Sequence, residues 1–253
     1  MAKQQVPSRG QEWIYGLHSV LATLKTSADR VSEVRVARGR HDQRLGKIKS
    51  LAEQLQIPLV SVSKEELDAI APGNHQGVAA LCAEGDVHDE HYLDSLLESL
   101  DHPPLLLILD GITDPHNLGA CLRTADAAGV DAVIAPKDKS VGITATVRKV
   151  ACGGAESVPF IVVTNLARAM SRIQEAGVWI AGTCGEADKE IYDADLKGPL
   201  ALVMGAEGEG MRRLTREHCD LLVRLPMAGT VSSLNVSVAT GVCLYEANRQ
   251  RRA

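Results

Sequence analysis

The chain has 253 residues, of which 45% are hydrophobic and 23% charged, and its formal net charge is −5. This composition is typical of a globular protein with a core of its own. It excludes a polycation that binds nucleic acid through bulk charge, so an RNA partner would need a local basic patch. Aromatic residues make up only 3%, too few for a row of base-stacking platforms.

The sequence lacks the usual signs of secretion, membrane insertion and zinc binding. No signal peptide is recognisable, and no apolar run approaches the ~20 residues that span a membrane, so we expect a cytoplasmic protein without a membrane partner. The six cysteines are scattered, without a C-x-x-C pair. This spacing argues against zinc, and we expect buried free thiols and no metal.

The N-terminal third predicts a small mixed domain. Residues 1–11 are polar, with Pro and Gly, and are expected to be a flexible tail. Residues 12–84 mix helical and strand periodicity. The expected elements are a helix over 14–24, a strand over 31–36, a helix over 45–55, and strands over 58–62 and 77–82. Residues 85–104 are acidic, end in a Pro pair and are expected to be a linker that can hold a short helix.

From residue 105 onward, strands and helices alternate regularly. The expected strands cover 105–110, 131–136, 158–163, 178–183, 200–205 and 221–225, and the expected helices cover 117–128, 144–151, 166–176 and 234–249. Such alternation predicts a parallel sheet with helices on both faces. Because ligands of these sheets bind beyond the carboxyl ends of the strands, the loops starting near residues 110, 183, 205 and 225 are candidates for the site.

The first candidate motif is DGITDPHNLGACLRTADAAG, residues 110–129. Asp114 and Asn117 are typical of a helix start, and Gly119 permits a close backbone approach. Arg123 lies about two turns into the helix. A capped helix with a surface Arg in an ion pair is the alternative interpretation.

The second candidate motif is VMGAEGEGM, residues 203–211, in which three glycines follow an apolar strand. Gly205, Gly208 and Gly210 do not have the G-x-G-x-x-G spacing of dinucleotide-binding loops. Glu207 and Glu209 would repel a pyrophosphate but suit ribose hydroxyls, an ammonium group or a sulfonium. An ordinary tight turn is the alternative.

The third candidate motif is LPMAGTVSSLNVSVATGV, residues 225–242. A Gly-containing loop leads to Ser232, Ser233 and Asn235, where the last helix is expected to begin. These polar residues fit either helix capping or a ligand-binding loop.

Together, the three motifs resemble those of the SpoU family of RNA 2'-O-ribose methyltransferases, through N-L-G-x-x-x-R, G-x-E-G-x-G and S-L-N-V-S-V-A in this order. YGLHSV (residues 15–20) and HQGVAA (residues 75–80) are similar to the substrate-binding domain of the 23S ribosomal RNA guanosine-2'-O-methyltransferase branch. The resemblance implies an α/β protein with a C-terminal trefoil-knotted, SPOUT-like parallel-sheet methyltransferase domain over 105–253. In front of it, the resemblance implies an L30e-like RNA-binding domain over 12–84, and it also implies a homodimer.

The resemblance further implies S-adenosyl-L-methionine as cofactor, held by loops 205–210 and 225–235. The implied cofactor contacts are Gly205, Leu225, Leu234, Thr183 and Met227. The implied catalytic residues are Asn117, Arg123, Glu207, Ser233 and Asn235. In the family proposal this Arg acts together with the substrate phosphate. Because arginine is almost always protonated, we expect Arg123 to position the ribose hydroxyl and stabilise charge, and a role as general base is the alternative. Asn117 and Glu207 would orient Arg123, while Ser233 and Asn235 would hold the loop and the cofactor or substrate.

A basic stretch supplies the expected RNA contact. Seven basic residues stand against Glu33 and Asp42, which gives a net charge of +5. They are Arg30, Arg35, Arg38, Arg40, Arg44, Lys47 and Lys49. We expect Arg38, Arg40 and Arg44 to contact RNA phosphates, and a solvated helix face is the alternative.

The expected function is 2'-O-methylation of a guanosine in 23S rRNA, with the peptidyl-transferase P loop as the expected target. A sister enzyme acting on tRNA and a non-catalytic RNA-binding or ribosome-assembly protein are the alternatives. A nicotinamide-dependent reductase ranks third, because the G-x-G-x-x-G fingerprint is missing.

Overall fold

The structure is a computed structural model that describes residues 10–39, 43–83 and 88–252. In chain order the helices and strands are β1 (Gln11–Tyr15), α1 (Leu17–Thr26), β2 (Val31–Ala37), α2 (Gln43–Gln54), β3 (Leu59–Val62), α3 (Lys64–Ile70), β4 (Val78–Ala83), α4 (Glu90–Ser99), β5 (Leu105–Asp110), α5 (Pro115–Ala128), β6 (Ala132–Pro136), α6 (Ala145–Ala151), α7 (Gly154–Ser157), β7 (Phe160–Val163), α8 (Leu166–Glu175), β8 (Trp179–Thr183), β9 (Lys189–Glu190), β10 (Leu200–Gly205), α9 (Arg213–Glu217), β11 (Leu221–Arg224) and α10 (Val236–Arg251). They form two compact units. Unit 1 takes the described residues before residue 87 together with Ala145–Ser157, and unit 2 takes the rest.

Unit 1 is built on a four-stranded sheet in the order β1-β4-β2-β3. Strand β4 is antiparallel to both β1 and β2, and β2 is parallel to β3. The expected strands and the helix over 45–55 are confirmed within one or two residues at most ends. The helix expected over 14–24 is wrong at its start, because the chain is a strand up to Tyr15 and turns at Gly16, whose φ is 96°.

The segment Ala145–Ser157 belongs to unit 1, although its place in the sequence predicted a helix of the C-terminal domain. Arg148 holds it there, since its side chain is only 7% exposed and bridges two carboxylates. Its Nη2 lies 2.7 Å from Glu12 Oε1, and its Nη1 lies 3.0 Å from Glu156 Oε1. Burial raises the pKa of Glu156, and the charge of Arg148 opposes that shift. The segment is thus tied to β1 by a buried ion-pair network.

Unit 2 is built on a seven-stranded sheet in the order β7-β6-β5-β10-β8-β11-β9, in which every recorded strand pair is parallel. This confirms the predicted parallel sheet. All six residues of β5 are buried, as expected for a strand covered on both faces. Strands β6 and β7 lie to one side of β5, and β10 and the remaining strands lie to the other. The carboxyl ends of β5 and β10, Asp110 and Gly205, are neighbours at this switch point, where α/β sheets place their ligands.

Residues 88–104 pack onto unit 2. The backbone N–H of His88 donates to the Phe160 carbonyl at 3.2 Å, and the Val162 N–H donates to the His88 carbonyl at 2.8 Å. Helix α4 follows, and its Leu93 is fully buried in the unit 2 core. The short helix expected within 85–104 is therefore present, and this stretch also covers the edge strand β7.

The C-terminal helix α10 packs along α5. At its far end the Arg251 guanidinium donates to the carbonyls of Pro104 at 3.1 Å and Gly198 at 2.9 Å. These carbonyls lie just before β5 and β10. The last turn of the chain is thus fastened to the start of the two central strands.

Candidate active site

The second motif folds into a tight hairpin directly after β10. Ala206 and Gly210 exchange backbone hydrogen bonds of 3.0 and 2.9 Å, and both Gly208 and Gly210 have positive φ, at 80° and 70°. Gly205 must lack a side chain, because a Cβ there would lie 2.3 Å from the Gly210 carbonyl carbon and from the Met211 nitrogen. Backbone geometry therefore requires these glycines, and an ordinary tight turn without a ligand would require them too. The function of the hairpin has to come from the groups around it.

Asp110 anchors the far end of this hairpin to the sheet. Its carboxylate is fully buried, accepts the Arg212 backbone N–H at 2.8 Å and lies 3.3 Å from the Arg212 Nε. The Arg212 guanidinium also donates to the Asp138 carbonyl at 3.1 Å. Sequence reasoning included Asp110 in the first motif without assigning it a role. The sequence did contain a sign of this role, because a carboxylate at the end of a fully apolar strand is buried only if it has a partner.

A cavity of about 660 Å³ lies at the carboxyl ends of β8, β10 and β11. Its wall is formed by the residues following these strands and by the start of α10. All five predicted cofactor contacts line it, and so do three of the predicted catalytic residues: Thr183, Gly205, Leu225, Met227, Leu234, Glu207, Ser233 and Asn235. The structure thus brings the second and third motifs to one place.

The first motif is joined to the cavity wall by Asn117, at the beginning of α5, which contacts the lining residues Glu207 and Asn235. Asn117 is 7% exposed, and its Nδ2 donates to Glu207 Oε1 at 3.0 Å. Asn235 Nδ2 donates to the same Glu207 oxygen at 2.8 Å and to Asn117 Oδ1 at 3.0 Å. Asn235 Oδ1 accepts the Ser237 backbone N–H at 2.9 Å and the Ser237 hydroxyl at 2.6 Å. One residue from each motif therefore meets in a closed polar network, together with Ser237, which the sequence analysis did not single out.

Arg123 does not line the cavity. It is exposed and lies six residues after Asn117, on a different side of α5 and about 9 Å further along the helix axis. The side chain expected to position the ribose hydroxyl is therefore not part of the cavity wall of its own chain.

The cavity residues fit S-adenosyl-L-methionine. The volume of the cavity lies within the ~300–1,000 Å³ that is typical of small-molecule sites. Three glutamates line the cavity, Glu186, Glu207 and Glu209, together with one arginine, Arg216, which pairs with Glu186 at 3.3 Å. The excess of acidic groups favours a cationic ligand with hydroxyl and ammonium groups. The apolar side chains of the third-motif loop suit an adenine ring. Among the residues that the structure describes, no group of three or more His, Cys, Asp or Glu is placed to hold a metal ion.

The cysteines meet the expectation of free thiols, and three of the six are buried. Burial raises the pKa of Cys219 to about 12. Cys184 lies in the cavity wall, which its spacing in the sequence did not indicate.

The basic stretch of unit 1 is only partly available to a ligand. Arg30 donates to the Ala83 carbonyl, and Arg35 pairs with Glu33 and lies 4.7 Å from the centre of the Trp13 ring. Of the three predicted RNA contacts, Arg38 and Arg44 are exposed, and Arg40 lies outside the described residues.

Two family models match the chain. The SpoU rRNA methylase family matches residues 104–245, and the model for RNA 2'-O ribose methyltransferase substrate binding matches residues 13–87. The chain belongs to the SpoU rRNA methylase family. Among the described residues, no helix is long and apolar enough to cross a membrane.

Curated relatives of this SpoU protein cover nearly its whole length. It is 60% identical to the 23S rRNA (guanosine-2'-O-)-methyltransferase RlmB of Pseudomonas aeruginosa, over 95% of this chain and 97% of the relative. It is 57% identical to RlmB of Escherichia coli K12, over 95% and 99%.

Solved structures have the same fold. A crystal structure of an RNA 2'-O ribose methyltransferase has a TM-score of 0.80 and 27% identity, over 96% of this chain and 90% of that one. The SpoU methyltransferase AviRb of Streptomyces viridochromogenes, in complex with AdoMet, also has a TM-score of 0.80, over 96% and 91%. At 23% identity, the second likeness is one of fold.

Proposed function

We propose that this protein methylates the ribose 2'-oxygen of a guanosine in 23S rRNA, in the peptidyl-transferase P loop, with S-adenosyl-L-methionine as methyl donor. The observation that carries the proposal is the convergence of all three motifs on one cavity, through Asn117, Glu207 and Asn235. The names of relatives at 57–60% identity support the choice of RNA and nucleotide.

The cofactor supplies an electrophilic methyl group when it is bound, and the chain supplies position and charge. The hairpin after Gly205 and the loop from Leu225 to Leu234 would enclose the cofactor, partly through backbone groups. Glu207 is held by two amides and would face the reacting groups. Preorganised contacts of this kind lower the barrier because the site does not reorganise during the reaction.

We propose that the protein is a homodimer and that the partner subunit's cavity is completed by Arg123. Helix α10 carries Val238 and Tyr245 on one exposed face, with exposed fractions of 53% and 56%. Val236 and Leu244 of the same helix are instead buried within their own chain. Because α10 packs on α5, a dimer through this face brings Arg123 close to the partner subunit, where it would position the ribose and stabilise charge. The trefoil knot stays a prediction.

Unit 1 would select the RNA. The substrate-binding match over residues 13–87 supports this role for an L30e-like domain, and exposed Arg38 and Arg44 would contact phosphates. Since Arg30 and Arg35 are engaged in internal contacts, the effective patch is smaller than the sequence suggested.

The proposed function is tested by mapping 2'-O-methyl groups in ribosomal RNA from cells with and without the gene, and by methylating unmodified 23S RNA with the purified protein. We expect one guanosine of the P loop to lose its methyl group in the deletion strain and to regain it in vitro. Methylation of tRNA alone would move the substrate to the sister class. No methylation of any RNA, with cofactor binding intact, would favour a non-catalytic RNA-binding protein.

The dimer is tested by light scattering at micromolar concentration, with Val238→Asp as the perturbation. We expect about twice the chain mass for the wild type, and a smaller mass with lost activity for the variant. An active wild-type monomer would contradict the dimeric site.

A further inference from the structure

The two oxygens of the Glu207 carboxylate are not equivalent. Oε1 accepts both amide N–H groups, from Asn117 at 3.0 Å and from Asn235 at 2.8 Å. No hydrogen bond from the described part of the chain reaches Oε2, although Glu207 lines the cavity and its side chain is exposed there. The network thus fixes the carboxylate through one oxygen and leaves the other open.

The direction of these hydrogen bonds is set by two groups that can act in only one way. The backbone N–H of Ser237 can only donate, so the atom of Asn235 facing it must be Oδ1, and Nδ2 must face Glu207. A carboxylate can only accept, so Asn117 must present its Nδ2 to Glu207 and its Oδ1 to Asn235. The orientation of both amides is therefore determined, and both donate to the same oxygen.

Helix capping alone does not explain Asn235. An Asp at this position would accept the Ser237 N–H equally well and would also suit the positive end of the helix dipole. It would have no N–H for Glu207 and would place a second negative charge beside it. An amide at position 235 therefore serves Glu207, and the two amides together hold that carboxylate in place.

We propose that Glu207 is the catalytic proton acceptor, with Oε2 taking the proton of the ribose 2'-hydroxyl; this rests on the proposed function. The 2'-oxygen loses its proton to Oε2 and forms a bond to the methyl carbon, while the sulfur–methyl bond breaks and its electron pair stays on sulfur. The carboxylate becomes a neutral carboxylic acid as the sulfonium becomes a neutral thioether. One negative and one positive charge thus disappear together, and no net charge is created in the cavity.

Neither of the other candidate groups meets these conditions. Arg123, whether it acts in its own chain or across a dimer, is a guanidinium and holds no free lone pair for a proton. Glu209 lines the same cavity, but no hydrogen bond from the described part of the chain fixes its carboxylate. Glu207 is both fixed and open, which a general base requires.

The decisive variant is Glu207→Gln. Its Oε1 can still accept both amide N–H groups, so the network keeps its shape, while an amide nitrogen replaces the open oxygen. We expect the single-turnover methylation rate on 23S RNA to fall by ~100-fold or more, the usual size of general-base catalysis. Affinity for S-adenosylhomocysteine, measured by calorimetry, should stay within about threefold of wild type, as should the melting profile.

Glu217→Gln is the matched comparison, since it removes the same charge from an exposed side chain that does not line the cavity. The wild type and Glu217→Gln should both lose rate on the acid side of the pH profile as the base becomes protonated, and Glu207→Gln should lack this acid limb. Wild-type rate in Glu207→Gln, or an unchanged acid limb, would overturn the proposal. An equal fall in rate and in cofactor affinity would overturn it too, and make Glu207 a binding group. An inactive wild type would overturn the proposed function, whereas an active wild type with an equally active Glu207→Gln overturns only this inference.

Discussion

Gly205→Ala tests whether the hairpin geometry determines cofactor binding. The new Cβ would lie 2.3 Å from the Gly210 carbonyl carbon and the Met211 nitrogen, both backbone atoms, whereas ordinary contact begins at 3.4 Å. The hairpin must therefore retreat by about 1.1 Å. Overpacking of this kind costs about 1–3 kcal/mol. If this cost is paid when the cofactor binds, each 1.4 kcal/mol of binding free energy lost weakens binding about tenfold. We therefore expect S-adenosylhomocysteine to bind roughly 5–150 times more weakly.

Calorimetric titration of S-adenosylhomocysteine measures this loss, and a thermal melt shows whether the fold survives. Gly208→Ala is the control within the same hairpin, because its Cβ would meet no atom within 4 Å and only its φ of +80° is unfavourable. It should cost about 1–2 kcal/mol as backbone strain without displacing a neighbour, and should weaken binding less. Wild-type affinity in a folded Gly205→Ala protein would refute the reasoning that this close approach shapes the cofactor site.

Three further outcomes are expected. Arg123→Ala should lower the single-turnover rate by ~100-fold or more at unchanged cofactor affinity. Arg123→Lys should not restore the rate, because the point charge of an ammonium group does not replace the planar, forked guanidinium. A wild-type rate in Arg123→Ala would remove Arg123 from the mechanism. Replacing Arg38 and Arg44 by Ala should weaken RNA binding and lower its salt dependence by about one counterion per lost phosphate contact, whereas an unchanged slope would mean a solvated face. Hydrogen bonds from Thr164 and the charge of Arg168 hold the pKa of Glu90 at about 2, below its unfolded value. Glu90→Gln should therefore cost about 1 kcal/mol of unfolding free energy at neutral pH and progressively less as the pH falls towards 2, as measured by denaturant titration; an equal cost at both ends would contradict the ion pair.

The sequence predicted unit 2 well because its central strands are continuous apolar runs. The predicted bounds of β5 and β10 match those of the structure, since each apolar run ends sharply, at Asp110 in β5 and at Gly205 in β10. Helix α3 was missed, although Ser63 and Glu66 form a capping box that the spacing S-x-x-E could have revealed. Strand β1 was merged into α1, and only Gly16 marked the break.

The site was predicted through its motifs rather than through its contacts. Glu207 lies 90 residues from Asn117 and 28 from Asn235 in sequence, so no local pattern could bring them together. Ser237 was overlooked because it lies inside the expected helix and looked like a helix residue. The place of Arg123 was misjudged because helix spacing gives the side of α5 but not what that side faces.

The discontinuity of unit 1 has a consequence for how the protein is made. Glu12 is synthesised 136 residues before the Arg148 that neutralises it, and β5, α5 and β6 are made in between. During vectorial synthesis, the first unit to begin folding cannot finish until half of the second has left the ribosome. Until then Glu12 lacks Arg148, its closer ionic partner at 2.7 Å, and is left with Arg30, which lies 3.8 Å away in the folded unit. Chimaeric proteins that combine the two units of different relatives should be divided along the same discontinuous boundary. An exchanged N-terminal unit has to carry residues 145–157 of its own parent, because a mismatched segment would leave a charge buried without compensation.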